Sequence, residues 1–357
     1  MEKNIKYWLE EAARKKAADI FIGAGRCVSF RLDGVIVPQS DERVTVNQAE
    51  IFLFELYEIA QRPIARFAER GDDDFSVTIP NVARFRASAY NQRGTPAVVI
   101  RVVAFDLPDP NALCIPDGVM SIANEKNGLV LVTGPTGSGK TTTLACIIDM
   151  INQTRNGHII TLEDPIEYLH RDKKSLVSQR EISTDTESYL TALRACLRQA
   201  PDIVLLGEMR DHETIKTAMT AAETGHLVIS TLHTIGAANT IERIVDVFPP
   251  QQQQQVRIQL SMILRAVVTQ QLLPKVGGGV TPAFEIMHVN SAIRNLIRES
   301  KTFRIDNVLS TSQNTGMIAM DTYITNLLQK GEISRDTALA QSSNPDQMQR
   351  TLERLRL

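Results

Sequence analysis

The spacing of apolar residues divides this sequence into two parts with different patterns. Residues 5–18 carry apolar side chains at helical intervals, and the segments ADIFIGAG, VSFRLDGVIV, FSVTIP, ARFRASAY and AVVIRVV then read as short strands. Gly34, Pro80 and Gly94 mark turns between them. Because several of these connections are too short for a crossover helix, the pattern predicts an α+β domain over 1–105 whose strands are mostly antiparallel.

A proline-rich segment, DLPDPNALCIP, separates the two patterns at 106–116. Its three prolines disfavour both a helix and a central strand. We therefore expect a semi-rigid linker between two domains.

Beyond the linker, apolar runs alternate with long helical stretches. The runs GLVLVTG, HIITLED, IVLLGE and HLVIST predict a parallel sheet wound with helices, so 117–357 is expected to be an α/β domain. From about Pro249 the pattern predicts mostly helix, through VRIQLSMILRAVVTQQLL, SAIRNLIRE and DTYITNLLQKG. The glutamines 251–255 follow Pro250 and are interpreted as the solvated first turns of a helix.

Composition excludes several classes of protein. The 357 residues carry a formal net charge of −2, which does not favour nucleic acid as a partner. Four cysteines, far apart and without a C-x-x-C pair, argue against a zinc site or a disulfide framework. The N-terminus does not resemble a signal peptide, and no run of about 18 apolar residues occurs. We expect a cytoplasmic protein whose membrane contact is peripheral.

The strongest chemical signal is a phosphate-binding loop between a strand and a helix. The segment 134–142 matches G-x-x-x-x-G-K-[ST] in that context. Its glycines allow backbone N–H groups to face phosphates, Lys140 neutralises phosphate oxygens, and Thr141 is a candidate Mg²⁺ ligand. The predicted ATP-binding residues of the loop are Gly134, Pro135, Thr136, Gly137, Ser138, Gly139, Lys140, Thr141 and Thr142.

Candidate acids follow two later strands. Glu163 and Asp164 end one apolar run and Glu208 ends another. Ligands of α/β proteins bind beyond the carboxyl ends of parallel strands, where such acids can position water or metal for phosphoryl transfer. Strand ends also carry acids for purely structural reasons, but the upstream phosphate loop favours a catalytic role.

Two histidines bracket the next strand. His226 and His233 lie seven residues apart, so their side chains are expected on opposite faces, which makes joint metal ligation unfavourable. Sensing of a phosphate by hydrogen bonding is the functional interpretation. A structural role at a strand edge is the alternative.

Four segments in order resemble the hexameric ATPases of the type II/IV secretion superfamily. They are the Walker A segment 134–142, the aspartate box TLEDPIEY at 161–168, the Walker B segment DIVLLGEMRD at 202–211 and the histidine box 225–234. The resemblance implies an N-terminal PAS-like α+β domain followed by a RecA-like P-loop ATPase domain with C-terminal helices.

Within that superfamily the sequence is similar to the retraction ATPases of type IV pili. The segment AIRNLIRE at 292–299 resembles their retraction signature, and no tetracysteine insert typical of extension and secretion ATPases is found. Two departures occur: Phe21 stands where the family often has histidine, and LRQAPD replaces LREDPD. Neither departure touches the ATPase segments.

The resemblance also implies roles for named residues. Glu163 and Glu208 would position or activate water and metal, and His226 and His233 would sense the γ-phosphate. Arginines of the N-terminal domain would reach the nucleotide, and the matching candidates here are Arg84, Arg86 and Arg101. Their alternative is a set of solvated strand charges.

The implied assembly is a homohexamer that hydrolyses ATP with Mg²⁺. It would act on the pilus platform protein of the inner membrane, with the protein peripheral to that membrane. The alternatives within the superfamily are an accessory retraction ATPase and a related secretion or translocation ATPase. A nucleic-acid translocase and a nucleotide-binding regulator without turnover are the alternatives from other classes.

Overall fold

Two compact units make up the chain in the computed structural model, which describes residues 4–32, 34–80, 82–103, 107–311 and 316–355. The first unit contains the chain up to residue 106 together with Glu167–Leu169, and the second contains 107–166 and 170–357. Residue 106 of the predicted linker lies outside the described residues. The remainder, 107–116, belongs to the second unit, where Ile115 is buried. Its function as a joint stays a prediction.

The first unit is a six-stranded antiparallel sheet with three helices. The strands lie in the order β3-β2-β1-β6-β5-β4, and every neighbouring pair is antiparallel. The elements are α1 (Ile5–Arg14), β1 (Asp19–Gly23), β2 (Cys27–Leu32), β3 (Val35–Arg43), α2 (Val46–Ile59), α3 (Ala65–Arg70), β4 (Asp72–Ile79), β5 (Ala83–Gln92) and β6 (Thr95–Val103). The predicted antiparallel α+β class is confirmed.

Alternation of side chains along these strands builds the core of the first unit. On β5 the residues Ala83, Phe85, Ala87 and Ala89 are buried, because alternate residues of a strand face the same side. The helix α2 begins with a capping box in which Thr45 and Gln48 satisfy each other's backbone N–H groups. One face of the sheet is therefore the apolar core, and the other carries the polar residues.

A seven-stranded sheet forms the centre of the second unit. Its order is β13-β12-β7-β11-β10-β8-β9, and all neighbours are parallel except β12 and β13. The strands are β7 (Gly128–Thr133), β8 (His158–Glu163), β9 (Leu176–Glu181), β10 (Ile203–Leu206), β11 (Leu227–Leu232), β12 (Leu264–Pro274) and β13 (Val280–His288). Every residue of β7, β10 and β11 is buried, which explains why their sequences are mostly apolar.

Helices cover the sheet and form the C-terminal part of the second unit. They are α4 (Asp117–Met120), α5 (Lys140–Thr154), α6 (Tyr189–Cys196), α7 (His212–Glu223), α8 (Ala237–Asp246), α9 (Pro250–Ile263), α10 (Ser291–Arg298), α11 (Ile305–Thr311), α12 (Met320–Gln329), α13 (Arg335–Gln341) and α14 (Pro345–Leu355), with 3₁₀ turns at Ser121–Asn124 and Thr302–Arg304. The predicted parallel sheet wound with helices is confirmed. The glutamine run lies in the first turns of α9, as predicted.

The prediction of mostly helix after Pro249 is wrong for two segments. The residues LRAVVTQQLLP form β12, which pairs with β7, and VTPAFEIMH forms β13 beside it. A short apolar run fits a buried strand as well as a buried helix, and the valines 267 and 268 favour the strand. Pairing with β7 decides between the two.

Among the described residues, no helix combines the length and the apolar character needed to cross a bilayer.

One half-buried histidine gives the second unit a defined response to acid. Burial lowers the pKa of His170 to about 4, although the nearby Asp149 opposes that shift. The Nδ1 atom of His170 is buried without a hydrogen-bond partner among the described residues. The folded protein therefore holds this side chain neutral.

Replacement of His170 by leucine should weaken the dependence of stability on pH. The unfolded chain takes up a proton on this side chain below about pH 6.5, whereas the folded chain does so only near pH 4. His170 thus lowers the free energy of unfolding as pH falls through that window. Between about pH 7 and about pH 5, the free energy of unfolding measured with urea should fall by about 2 kcal/mol less in His170→Leu than in the wild type. An equal fall in the free energy of unfolding of both proteins would contradict the neutral state of His170 in the folded protein.

Candidate active site

The phosphate-binding loop follows a fully buried strand and opens directly into a helix. Thr133 ends β7 and α5 begins at Lys140. Gly134, Gly137 and Gly139 all have positive φ angles, of 135°, 78° and 86°. A Cβ atom on Gly134 would lie 2.1 Å from the carbonyl oxygen of Gln270 on β12. The tight turn therefore needs glycine both for its backbone angles and for its contact with β12.

The loop has the donor set that a triphosphate requires. Lys140 is buried, and its Nζ donates to the carbonyl oxygens of Gly134 and Pro135 at 2.9 and 2.8 Å. Among the described residues, no side chain caps the N-terminus of α5, the end of the helix that follows the loop. The buried Ser138 Oγ has no hydrogen-bond partner among the described residues. These features fit a bound phosphate chain, and the half-buried Thr141 at the second position of α5 fits a Mg²⁺ ligand.

The parallel register brings the predicted acids to the same edge of the sheet as the loop. Thr133 pairs with Leu232, Ser230 with Leu206, and Leu206 with Leu162. Glu163 is the last residue of β8, and Glu208 lies two residues beyond β10. The N–H of Gly207 donates to the carbonyl of Leu162 at 2.8 Å, which ties the two strand ends together.

Neutral donors hold Glu163. Its Oε1 accepts from Thr161 Oγ1 at 2.6 Å and from Gln179 Nε2 at 3.0 Å. The residue is 8% exposed. Burial with hydrogen bonds on one oxygen keeps this carboxylate in a single orientation at the strand end.

An arginine and a histidine lie beside Glu208 instead. Arg210 Nε lies 2.7 Å from Glu208 Oε2, and His233 Nε2 lies 3.5 Å from the same oxygen. The hydrogen bond that Arg210 donates to Glu208, followed by the charge of Glu208, raises the pKa of Arg210. The structure thus brings together Glu208 and His233, two of the predicted catalytic residues.

His226 lies at the other edge of the sheet. It immediately precedes β11, and its Nδ1 lies 3.0 Å from the Ala221 carbonyl and 3.2 Å from Thr224 Oγ1. The six residues of β11 separate it from His233 by about 20 Å at the usual rise of a strand. Within one chain, the structure therefore does not bring the two histidines together, and of the two His233 lies at the edge of the phosphate loop. A phosphate-sensing role for His226 stays a prediction.

The predicted arginines share one face of the sheet in the first unit. Arg86 pairs in register with Arg101, and Arg84 lies two residues from Arg86 on β5. Arg101 Nε donates to Asp19 Oδ1 at 3.0 Å, and Arg84 Nη1 lies 3.4 Å from Thr78 Oγ1. Arg86 and Arg101 are exposed. A phosphate role for the three arginines stays a prediction.

Sequence reasoning missed two residues that shape the carboxylate edge. Tyr189 begins α6, and its hydroxyl lies 2.7 Å from where a Cβ atom on Gly207 would be. Burial raises the pKa of Tyr189, and the charges of Glu208, Asp164 and Glu163 raise it further. The other residue is Gln179 on β9. Neither belongs to a recognisable motif, and β9 itself is a short polar strand without a clear period.

Known proteins match this chain over most of its length. The family described as type II/IV secretion system protein matches residues 1–295. The chain is 43% identical over 335 residues to the type IV pilus retraction ATPase PilT of Pseudomonas aeruginosa, covering 94% of this chain and 97% of that protein. It is 35% identical to the type IV pilus ATPase PilU of the same organism, covering 94% and 87%.

A solved structure agrees with these sequence matches. The crystal structure of the pilus retraction motor PilT with bound ADP superimposes with a TM-score of 0.89 at 44% identity. The match covers 97% of this chain and 99% of that one.

Substitution of Gly134 by alanine should destabilise the protein far more than substitution of Gly137. The Gly134→Ala methyl group would overlap the Gln270 carbonyl, whereas nothing lies within 4 Å of a Cβ atom at Gly137. We expect Gly134→Ala to lower the free energy of unfolding by about 3 kcal/mol, because backbone strain and atomic overlap act together. Gly137→Ala should lower the free energy of unfolding by about 1 kcal/mol, because only its left-handed backbone is unfavourable for alanine. Urea unfolding without nucleotide measures both, and equal losses would disprove the close contact with β12.

Proposed function

We propose that this chain, which belongs to the family of type II/IV secretion system proteins, is an ATPase motor that retracts a type IV pilus. The observation that carries the proposal is the match to PilT over nearly the whole length of both proteins. The site supports it, because a phosphate loop and two acids share one edge of a parallel sheet.

The loop residues bind ATP. Lys140 would exchange its bonds to the loop carbonyls for bonds to phosphate oxygens, and the N–H groups at the start of α5 would face the same phosphates. The Thr141 hydroxyl would hold Mg²⁺, which when bound neutralises charge on the β- and γ-phosphates. Ser138 Oγ supplies one further donor.

Glu163 is the better placed of the two glutamates to take the proton of the attacking water. An ion pair with Arg210 already occupies the carboxylate of Glu208, whereas Thr161 and Gln179 hold Glu163 through neutral donors. Glu208 then orients His233, which lies at the loop edge and can sense the γ-phosphate.

The arginine face of the first unit would complete the site in a homohexamer. Arg84, Arg86 and Arg101 offer guanidinium groups of the kind that stabilise charge in phosphoryl transfer. ATP turnover would then drive the platform protein of the inner membrane, with the hexamer at the cytoplasmic face of that membrane. The chain is less identical to PilU than to PilT, 35% against 43%, so the accessory motor is the second candidate.

Loss of ATP turnover should follow from changes at the loop and at either glutamate. Lys140→Ala removes the phosphate cation, and Glu163→Gln removes the proposed base, so each should lower kcat about 100-fold or more. Glu208→Gln should lower kcat less than Glu163→Gln, because it alters an orienting group. Lys126→Ala is the matched control, since this exposed lysine precedes β7 at the opposite edge of the sheet. Steady-state phosphate release measures all four, and an unchanged kcat in Glu163→Gln would disprove the assignment.

The helix α10 carries the segment that resembles the retraction signature. Ile293 and Ile297 are fully buried, Leu296 is partly buried against the same core, and Ala292 is exposed. The helix therefore combines a core face with an exposed face. We assign the exposed face to retraction, in agreement with the resemblance.

Leu296→Ala should abolish pilus retraction in cells while most ATP turnover persists. The side chain borders the exposed face, so its loss changes that face more than the core. Ile297→Ala is the control, because it empties a buried position and should lower stability by about 2–5 kcal/mol. Retraction of labelled pili is compared in a deletion strain that carries the wild type, Lys140→Ala, or either variant. Normal retraction without any complementing gene would favour the accessory motor, and equal unfolding of both α10 variants would favour a purely structural helix.

A further inference from the structure

The edge strand β9 places a glutamine beside the proposed catalytic base. β9 pairs in parallel with β8, and Gln179 lies opposite Thr161 in that register. Thr161 and Glu163 are two residues apart on β8, so their side chains face the same side of the sheet. Gln179 therefore extends along the face on which Glu163 lies.

Two donors converge on one oxygen of Glu163. The Gln179 amide donates through Nε2 at 3.0 Å, and the Thr161 hydroxyl donates at 2.6 Å. Both donors are neutral and both are attached to paired strands of the sheet. The carboxylate is thereby fixed from two directions by groups whose own backbones are rigid.

The amide of Gln179 is itself held in one orientation. Its Oε1 accepts the backbone N–H of His170 at 2.8 Å. That N–H is only a donor, so it selects the amide oxygen and leaves Nε2 to face Glu163. The orientation of the amide thus follows from a main-chain group.

We propose that Gln179 is a positioning residue for ATP hydrolysis, which holds the Glu163 carboxylate in the orientation that receives the proton of the attacking water. The inference rests on the proposed role of Glu163 as that base. A base must lie within hydrogen-bond reach of its proton with the correct angle, and a small misplacement lowers the rate strongly.

Gln179→Leu tests this role, because it removes the donor and leaves a side chain of similar size. We expect kcat for ATP to fall about 10- to 100-fold with little change in KM, since loss of a group that orients a reactive side chain has an effect of this size. Ser178→Ala is the matched control. Ser178 is the neighbouring residue of the same strand, and its Oγ contacts His158 Nε2 at 2.9 Å, away from Glu163. The control should keep the wild-type kcat.

Gln179→Glu separates the donor from packing. It keeps the size of the side chain and the acceptor for the His170 N–H, but it replaces the donor with a carboxylate next to Glu163. We expect kcat to fall at least as far as in Gln179→Leu. A wild-type kcat in Gln179→Glu would overturn the proposal, because only the contact with His170 would then matter.

A double-variant cycle distinguishes failure of this inference from failure of the proposed base. In the Glu163→Gln background, Gln179→Leu should lower kcat no further, because both changes act through one carboxylate. An additional loss as large as in the wild-type background would overturn the positioning role. If Glu163→Gln lowers kcat and Gln179→Leu does not, the inference alone fails. If Glu163→Gln keeps the wild-type kcat, the base is wrong and the inference falls with it.

Discussion

The parallel register of the strands β7, β11, β10 and β8 is the constraint on which the site depends. Strands β7 and β8 are separated in the sheet by β11 and β10, and the pairing places Leu131, Ser230, Leu206 and Leu162 at one level. The strand interiors are mostly apolar, so the acids of the site lie only where the strands end. A shift of one residue in any pair would turn the side chains of that strand to the other face and would remove its acid from the phosphate loop.

Rigid surroundings hold the two acids in different ways. Glu163 lies between hydroxyl and amide donors, whereas Glu208 lies between a guanidinium group and an imidazole ring. The backbone of Gly207 joins the two strand ends, and the Tyr189 ring packs against it. One edge of the sheet therefore offers two carboxylates with distinct chemical neighbours, which is how a site assigns different tasks to the same residue type.

Sequence reasoning located the parts of the site that consist of local motifs. The phosphate loop, both acids and His233 lie where the patterns placed them, because a strand end followed by glycine or an acid is a local signal. The sequence patterns did not predict contacts between distant segments. The strand β12 is recognised only through its pairing with β7, and Gln179 only through the register of β9 with β8. The structure also places His226 and His233 at opposite ends of β11, which the linear motif alone did not show.

The contact between Gln270 and the phosphate loop has a mechanical consequence. The carbonyl of Gln270 faces Gly134, and its side chain accepts a hydrogen bond from Thr143 at 2.7 Å, so β12 braces both the loop and the first turn of α5. Its partner β13 continues this brace towards the C-terminal helices, where Ile286 exchanges backbone hydrogen bonds with Ile318. The β12–β13 hairpin thus contacts both the phosphate loop and the segment that leads into the C-terminal helices. A force applied to those helices and a displacement of the loop would both be transmitted through this hairpin, so its stiffness limits the mechanical coupling between them.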